Sequence, residues 1–139
     1  MHTVDPPDTP CSHYLDLCPS AYQLGDDGAY GIRLDWSRSR SLLEGYGVYT
    51  IFVELLNQLA VRAVRHGFRE DVRPGLRFIP ASIRDLRIDD LGVTSRLIAR
   101  AEKVGGFYRV AILGKNSDSK ETKLEALIYV AQVGETKSC

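Results

Sequence analysis

One long amphipathic segment, Val48 to His66, limits what this 139-residue chain can fold into more than any other feature. Placed on a helix at about 100° per residue, its apolar side chains gather on one face and leave only a narrow polar arc. That apolar face consists of Val48, Phe52, Leu55, Leu56, Leu59, Ala60 and Ala63. The pattern predicts a long, largely buried helix that ends at Gly67 as its C-cap.

The segments on either side of this helix have the alternation and composition of β-strands. One such run precedes the helix and four follow it, namely residues 29–36, 76–88, 94–104, 107–113 and 124–133. Gly105-Gly106 has the sequence of a hairpin turn between two of them. Because no second helix follows Gly67 to connect parallel strands, the sheet is predicted to be antiparallel. The order resembles that of the hotdog fold, an α+β domain in which an antiparallel sheet wraps around one long central helix.

The chain is expected to form a single domain over residues 1–139, with residues 1–13 as a flexible N-terminal arm. Three of the six prolines fall in that arm, which favours a loose or extended conformation. A sheet that only half encloses a helix leaves an open edge, and such edges are commonly closed by association with a second copy. A homodimer or homotetramer is therefore predicted.

Charge and cysteine content narrow the classes of partner. The 18 basic and 18 acidic residues cancel, so no net field favours binding to nucleic acid or to an anionic membrane. No apolar run reaches the roughly 18 residues of a membrane span, and the acidic, proline-rich N-terminus does not resemble a signal peptide. A cytoplasmic location is therefore expected. Cys11, Cys18 and Cys139 form no metal-ligand motif with the scattered histidines, so neither a metal nor another cofactor is expected.

Two polar residues of the helix are candidates for chemistry. Glu54 could act as a general base toward water or an acyl chain, or it could simply pair with Gln58 or Arg62. Asn57 lies where the apolar and polar arcs meet, so its amide could orient a water or donate to a developing oxyanion. A structural hydrogen bond is the alternative for Asn57, because a buried amide is costly unless it is satisfied.

Further candidates lie around the helix entrance and the first strands. Tyr46 and Tyr49 flank Gly47 at the start of the helix, and Tyr30 lies in the first strand; each could contact a carbonyl or simply line an apolar channel. Three arginines are candidates for anionic parts of a substrate: Arg40 for a carboxylate or phosphate, and Arg73 and Arg77 for the phosphates of coenzyme A or phosphopantetheine.

Two known families share residues with this helix. The run Glu54-Leu55-Leu56-Asn57-Gln58 resembles the ExxxQ helix of β-hydroxyacyl-ACP dehydratases. Those enzymes need a catalytic histidine in the loop before the helix, and residues 37–47 contain none. A hydratase or dehydratase of enoyl thioesters with Glu54 as base is thus one alternative function, and a non-catalytic module that binds acyl thioesters is another.

The second resemblance covers residues 29 to about 65. Ala29-Tyr30-Gly31, Gly45-Tyr46 and Asn57-Gln58-Leu59-Ala60 resemble motifs of the FcoT-type fatty acyl-CoA thioesterases. The resemblance implies a hotdog enzyme that hydrolyses acyl thioesters on coenzyme A or acyl carrier protein without the Asp or Glu base of other thioesterases. It places Asn57 at a matching motif position, with tyrosines and asparagines around the helix as the polar groups of the site.

Two departures from the FcoT pattern imply an altered substrate. Arg40 stands where the family has a tyrosine ahead of the helix, and Val48 where it has an asparagine. Related enzymes of isonitrile lipopeptide biosynthesis add glycine to the β-carbon of an enoyl-ACP and release the β-amino acid by hydrolysis. An arginine can bind a carboxylate through two parallel hydrogen bonds, so Arg40 is a candidate for glycine binding. The resemblance thus implies a thioesterase with a possible Michael addition step.

Overall fold

The computed structural model describes residues 22–23, 29–33, 47–89, 94, 96–116 and 121–134. The N-terminal arm predicted over residues 1–13 lies outside them. The described elements, in chain order, are β1 (Tyr22–Gln23), β2 (Tyr30–Arg33), α1 (Val48–Gly67), a 3₁₀ turn (Arg69–Asp71), β3 (Leu76–Ile88), β4 (Arg96–Val104), β5 (Phe107–Lys115) and β6 (Thr122–Gly134). The strands form one antiparallel sheet in the order β1-β2-β4-β5-β6-β3. The predicted α+β arrangement of an antiparallel sheet and a long helix is confirmed; the two-residue strand β1 was not predicted.

Helix α1 is buried against this sheet along the predicted apolar face. Phe52, Leu56, Leu59 and Ala60 are at most 1% exposed, and they pack with side chains from β2 to β6 in one core. The prediction that Gly67 caps the helix is wrong. Gly67 is its last residue, and the cap is Phe68, whose N–H donates to the Val64 carbonyl at 2.8 Å. The Phe68 ring is held 5.1 Å from that of Tyr108, so packing ends the helix without a left-handed glycine.

The two flanks of α1 face different parts of the sheet. Leu55, Gln58, Arg62 and His66 are three or four residues apart and therefore share one flank. On this flank the His66 ring lies 5.0 Å from that of Tyr30 in β2. Asn57, Val61, Val64 and Phe68 share the opposite flank, where Phe68 contacts Tyr108 of β5. The C-terminal end of the helix thus lies between β2 and β5.

The polar arc of the helix is less exposed than its sequence suggests. Gln58 is 5% exposed and Arg62 is 6% exposed, although both fall on the arc opposite the apolar face. Within the first half of the helix, the described residues of that arc that are exposed are Thr50 and Glu54. Burial therefore extends round the Gln58 flank of the helix beyond the residues that hydrophobicity alone selects.

Strand β3 forms one edge of the sheet and is irregular. It pairs with β6 along its length, but the register shifts between Pro80 and Ser82 and again between Arg84 and Arg87. Asp85, inside the second shift, has a positive φ of 53°. Two large apolar side chains on this edge, Leu76 and Leu86, are 39% and 41% exposed. The edge therefore combines features that discourage pairing, a proline and two bulges, with apolar groups left open to solvent.

A cluster of polar residues forms hydrogen bonds between the segment that joins α1 to β3 and the sheet. The Asp71 carboxylate accepts hydrogen bonds from the Tyr108 hydroxyl at 2.5 Å and from Lys103 Nζ at 3.0 Å. The Asp71 backbone carbonyl accepts a further bond from Gln132 Nε2 at 2.7 Å. The Tyr108 bond and then the Lys103 ammonium lower the pKa of Asp71. Burial, together with the bond to Asp71, raises the pKa of Tyr108 to about 12.

Asp71→Asn is expected to reduce stability at neutral pH and to flatten its dependence on acid. Because the folded-state pKa of Asp71 is below the unfolded value of 3.8, the carboxylate stabilises the fold above that value and stops doing so as the pH falls through the folded pKa. Urea unfolding from neutral pH to about pH 3 should show the difference between wild type and variant shrinking. Asp89→Asn is the control, since the exposed Asp89 pairs with Arg87 only at 3.6 Å. A difference that stays constant with pH would contradict the assignment.

Candidate active site

The surroundings of the Asn57 side chain make it a candidate for chemistry. It lies half-buried near the middle of α1, and its Oδ1 atom is buried. Within the part of the chain that the structure describes, no donor reaches this oxygen. A buried carbonyl oxygen without a hydrogen bond costs about 1–3 kcal/mol. The structural hydrogen bond considered for this oxygen is therefore not made by the described residues, and Oδ1 keeps the capacity to accept a hydrogen bond.

Glu54 lies one turn before Asn57, three residues away on the helix surface, where side chains are neighbours. Its carboxylate is exposed, and Oε1 accepts a hydrogen bond from Nε2 of the buried Gln58 at 3.2 Å. The predicted pairing with Gln58 is therefore present. This bond engages one carboxylate oxygen, and no hydrogen bond to the second is found among the described residues. A carboxylate and an amide oxygen thus lie one turn apart on the same helix.

The start of α1 offers backbone donors. Gly47, at the N-cap, has φ +87° and ψ 146°, a conformation that a residue with a side chain rarely adopts. Among the described residues no side chain caps the helix, and its first turn contains no acidic residue. The first N–H groups of a helix lack partners within it and carry partial positive charge. Tyr49 belongs to this first turn. Arg40 and Tyr46 lie outside the described residues.

Tyr30 is not brought together with Asn57. It is 2% exposed, contacts the His66 ring and lies on the flank of α1 opposite Asn57. Asn57 and His66 are also separated by nine residues along the helix, a rise of about 13 Å. The surroundings of Tyr30 are those of an aromatic residue in the core, beside the C-terminal end of α1.

Arg73 and Arg77 likewise lie at the end of the domain where α1 finishes. Arg73 is exposed in the turn before β3 and contributes to lowering the pKa of Asp71. Arg77 is half-buried near the start of β3, opposite Val133. The structure therefore places these two arginines beside the Asp71 cluster and not beside the start of the helix.

Sequence reasoning missed another set of cations, which the strand register places side by side: Arg33, Arg96 and Lys115. They are far apart in the chain, so only a correct strand alignment could have grouped them. No cluster of His, Cys, Asp and Glu suited to a metal is found among the described residues. In the same part of the chain, no helix is long and apolar enough to cross a membrane.

Comparison with solved structures identifies the fold. The crystal structure of a thioesterase from Haemophilus influenzae superposes with a TM-score of 0.55 at 11% identity, covering 85% of this chain and 81% of that one. A thioesterase family protein from Silicibacter pomeroyi matches with a TM-score of 0.45 at 10% identity, over 77% of each chain. No protein-family model matches the sequence, and no curated protein sequence does. The predicted hotdog fold is confirmed by the arrangement of sheet and helix and by the first of these structures.

Proposed function

We propose that this protein hydrolyses acyl thioesters carried on coenzyme A or on an acyl carrier protein. The observation that carries the proposal is the buried Oδ1 of Asn57, which has no donor among the described residues and lies one helical turn from the exposed carboxylate of Glu54. The fold supports it, because a similar fold is found in the Haemophilus influenzae thioesterase. The resemblance of the helix to the FcoT-type thioesterases supports it independently.

In the proposed reaction Asn57 positions the nucleophile. An amide oxygen is too weak a base to take a proton, so Oδ1 accepts a hydrogen bond from water and fixes its direction. The water oxygen bonds to the thioester carbon and its proton passes to Glu54. The C–S bond then breaks, the thiolate takes the proton back, and a carboxylic acid and a thiol leave. Backbone N–H groups at the start of α1 are proposed to stabilise the oxyanion, and the hydroxyls of Tyr49 and Tyr46 are proposed as further donors.

Glu54→Gln tests whether this carboxylate is the base. The amide keeps the size of the side chain but cannot take a proton, and loss of a general base slows a reaction by about 10²–10⁴-fold. Hydrolysis of an acyl-CoA should therefore fall by at least that lower bound. Because Glu54 is exposed, the melting temperature should change little. Full activity in Glu54→Gln would remove it from the mechanism and leave the base-free chemistry that the FcoT resemblance implies.

A coupled step with glycine is proposed on the strength of Arg40 alone. Glycine's amine would add to the β-carbon of an enoyl thioester, a proton would pass to the α-carbon, and hydrolysis would then release a β-amino acid. Arg40 would bind the glycine carboxylate. Arg40→Ala should then raise the glycine requirement steeply and spare hydrolysis of a saturated acyl thioester, whereas equal loss of both would exclude this role.

The test of the overall proposal is mass spectrometry of products from saturated acyl and enoyl thioesters, on coenzyme A and on a carrier protein, with and without glycine. Free carboxylic acid supports hydrolysis, and a β-amino acid formed only with glycine supports the coupled reaction. A 3-hydroxyacyl or enoyl thioester that stays on its carrier would instead indicate a hydratase or dehydratase. Tight binding without any product would indicate a non-catalytic module.

We also propose that two copies associate through the edge strand β3. Leu86 is 41% exposed on this edge, and burying it against a second copy would remove apolar surface from water. Light scattering should give at least twice the chain mass of 15.5 kDa, and Leu86→Asp should return it to that value. Val104→Asp is the control, since Val104 is 43% exposed but lies at the end of β4. A mass unaffected by Leu86→Asp would exclude this edge.

A further inference from the structure

Three cationic residues lie in one row across three adjacent strands. Arg33, the last residue of β2, is directly opposite Arg96, the first residue of β4. Arg96 is in turn directly opposite Lys115, the last residue of β5. Directly opposed residues of antiparallel strands have Cβ atoms about 4.5–5.5 Å apart, and like charges in such pairs are destabilising. The row therefore places three positive charges close together at the rim of the sheet, a position that suits a bound anion.

The row faces away from the buried helix. Ile32, Leu97 and Gly114, the neighbours of the three cations along their strands, are buried on the face that packs against α1. Because successive side chains on a strand point to opposite faces, the cations lie on the other face. Arg33 is exposed there, while Arg96 and Lys115 are half-buried. The site is thus accessible to a ligand at the surface and partly shielded from water.

Two acidic residues described near this row form salt bridges with other cations. Glu125 lies 3.5 Å from Arg87, and Glu121 lies 2.9 Å from Lys123. Neither Arg33 nor Arg96 forms a salt bridge with any residue that the structure describes. The Nε atom of Arg96 is buried and, within the same part of the chain, finds no acceptor. A buried guanidinium N–H without an acceptor is costly, so this atom requires an anionic or strongly polar partner.

The row lies away from the C-terminal end of the helix. That end of α1 is beside Tyr108, the second residue of β5, near the β4–β5 hairpin. Arg96 is the first residue of β4 and Lys115 is the last residue of β5, so both lie at the opposite end of these two strands. The row is therefore separate from the Asp71 cluster, which contains Tyr108.

We propose that Arg33, Arg96 and Lys115 together bind a phosphate group of the thioester's carrier, the group that coenzyme A and the phosphopantetheine arm of a carrier protein share. This inference deepens the proposed function and rests on it for the identity of the ligand. Guanidinium groups suit phosphate because their planar N–H donors can form two parallel hydrogen bonds to its oxygens. Bound phosphate would also relieve the repulsion within the row and give Arg96 Nε an acceptor.

The test is calorimetric binding of coenzyme A to the full chain, which requires no turnover. Arg96→Gln is expected to weaken binding about tenfold or more, the effect of losing a charge-assisted hydrogen bond. Arg33→Gln should act in the same direction, and Arg96→Lys should weaken binding less than Arg96→Gln. Arg100→Gln is the control, because Arg100 is an exposed cation on the same face of β4, with Ala111 opposite it. Equal losses in Arg96→Gln and Arg100→Gln would overturn the proposal.

Substrate kinetics separate this site from the chemistry. With acyl-CoA, Arg96→Gln should raise KM and leave kcat nearly unchanged, whereas an acyl-N-acetylcysteamine thioester, which has no phosphate, should be turned over equally by wild type and variant. A KM increase of the same size on the phosphate-free substrate would overturn the assignment. If no thioester is hydrolysed but coenzyme A binding still depends on Arg96, the proposed function fails while the phosphate site stands.

Two further ligands distinguish the sources of phosphate. Dephospho-coenzyme A that binds as well as coenzyme A, with the same dependence on Arg96, would assign the row to the phosphate of the pantetheine arm, and free 4′-phosphopantetheine should then show that dependence too. Dephospho-coenzyme A that binds weakly and without dependence on Arg96 would overturn the proposal, because the row would then bind the 3′-phosphate, a group absent from carrier proteins. Loss of dependence on Arg96 with every ligand would overturn it as well.

Discussion

Asn57→Ala is expected to lower the rate of thioester hydrolysis by about 10²–10³-fold without lowering the stability of the fold. The loss of rate follows because the variant has no group to direct the attacking water. Stability should be unchanged or raised, because the substitution removes a buried oxygen that has no hydrogen bond from any described residue. Removing such a group relieves a desolvation penalty of about 1–3 kcal/mol, which offsets the packing lost with the amide.

The combination of the two measurements is what identifies a functional residue. Steady-state kinetics on an acyl-CoA and thermal unfolding should be measured on the same preparations. Val61→Ala is the matched control, since Val61 lies one turn further along the same flank and is also half-buried. It should lose some stability and keep its activity. If Asn57→Ala unfolded at a much lower temperature and retained its activity, Asn57 would be a structural residue and the proposed mechanism would be wrong.

Gly114→Ala is expected to be among the most destabilising small substitutions in the sheet, costing about 1–3 kcal/mol. A Cβ built on Gly114 would stand 2.8 Å from the Cβ of Leu124, 2.9 Å from Cγ2 of Thr94 and 3.2 Å from Cδ2 of Leu97. Leu124 and Leu97 are the residues directly opposite Gly114 on β6 and β4. The Leu124 Cβ is fixed to the backbone, so the clash can be relieved only by moving strands apart.

Denaturant unfolding should report this cost as a lower midpoint with little change in slope. Gly134→Ala is the control, because a Cβ there meets no atom within 4 Å and should leave stability nearly unchanged. Thr94→Ser removes the Cγ2 atom, so the double variant with Gly114→Ala should recover part of the loss. A Gly114→Ala variant as stable as wild type would mean that β4, β5 and β6 are less closely packed than described.

The sequence was sufficient to predict those elements whose signal is local. The helix was predicted to within one residue of its bounds, because a wide apolar face repeats over five turns. The bounds of β3 were predicted as observed, although Pro80 interrupts it, because an edge strand tolerates proline. By contrast, the cap at Phe68 and the burial of Gln58 and Arg62 depend on contacts with distant segments. Periodicity within one helix carries no information about those contacts.

The candidate site was predictable only in its helical part. Asn57 could be selected because it lies at the border of the apolar face, and Glu54 because it is the one acidic residue of the predicted helix. The interactions of these two side chains could not be predicted from the sequence. The burial of Asn57 Oδ1 away from any described donor and the hydrogen bond from Gln58 to Glu54 both depend on the three-dimensional structure. The grouping of Arg33 with Arg96 depends on strand register, and a shift of one residue would place them on opposite faces. The predicted roles of Arg40 and Tyr46 fall outside the described residues and stay predictions.

The strand order has a consequence for how the protein is made in the cell. Strand β3 comes soon after the helix in the chain but pairs with β6, so that Leu76 is opposite Gly134. The sheet therefore cannot be completed until residues 122–134 have been synthesised. Until then the nascent chain carries an amphipathic helix and a strand without its neighbour, the kind of species that aggregates and that chaperones hold. Closure between distant strands is also slow compared with hairpin formation. The pairing of β3 with the rest of the sheet thus depends on the synthesis of β6.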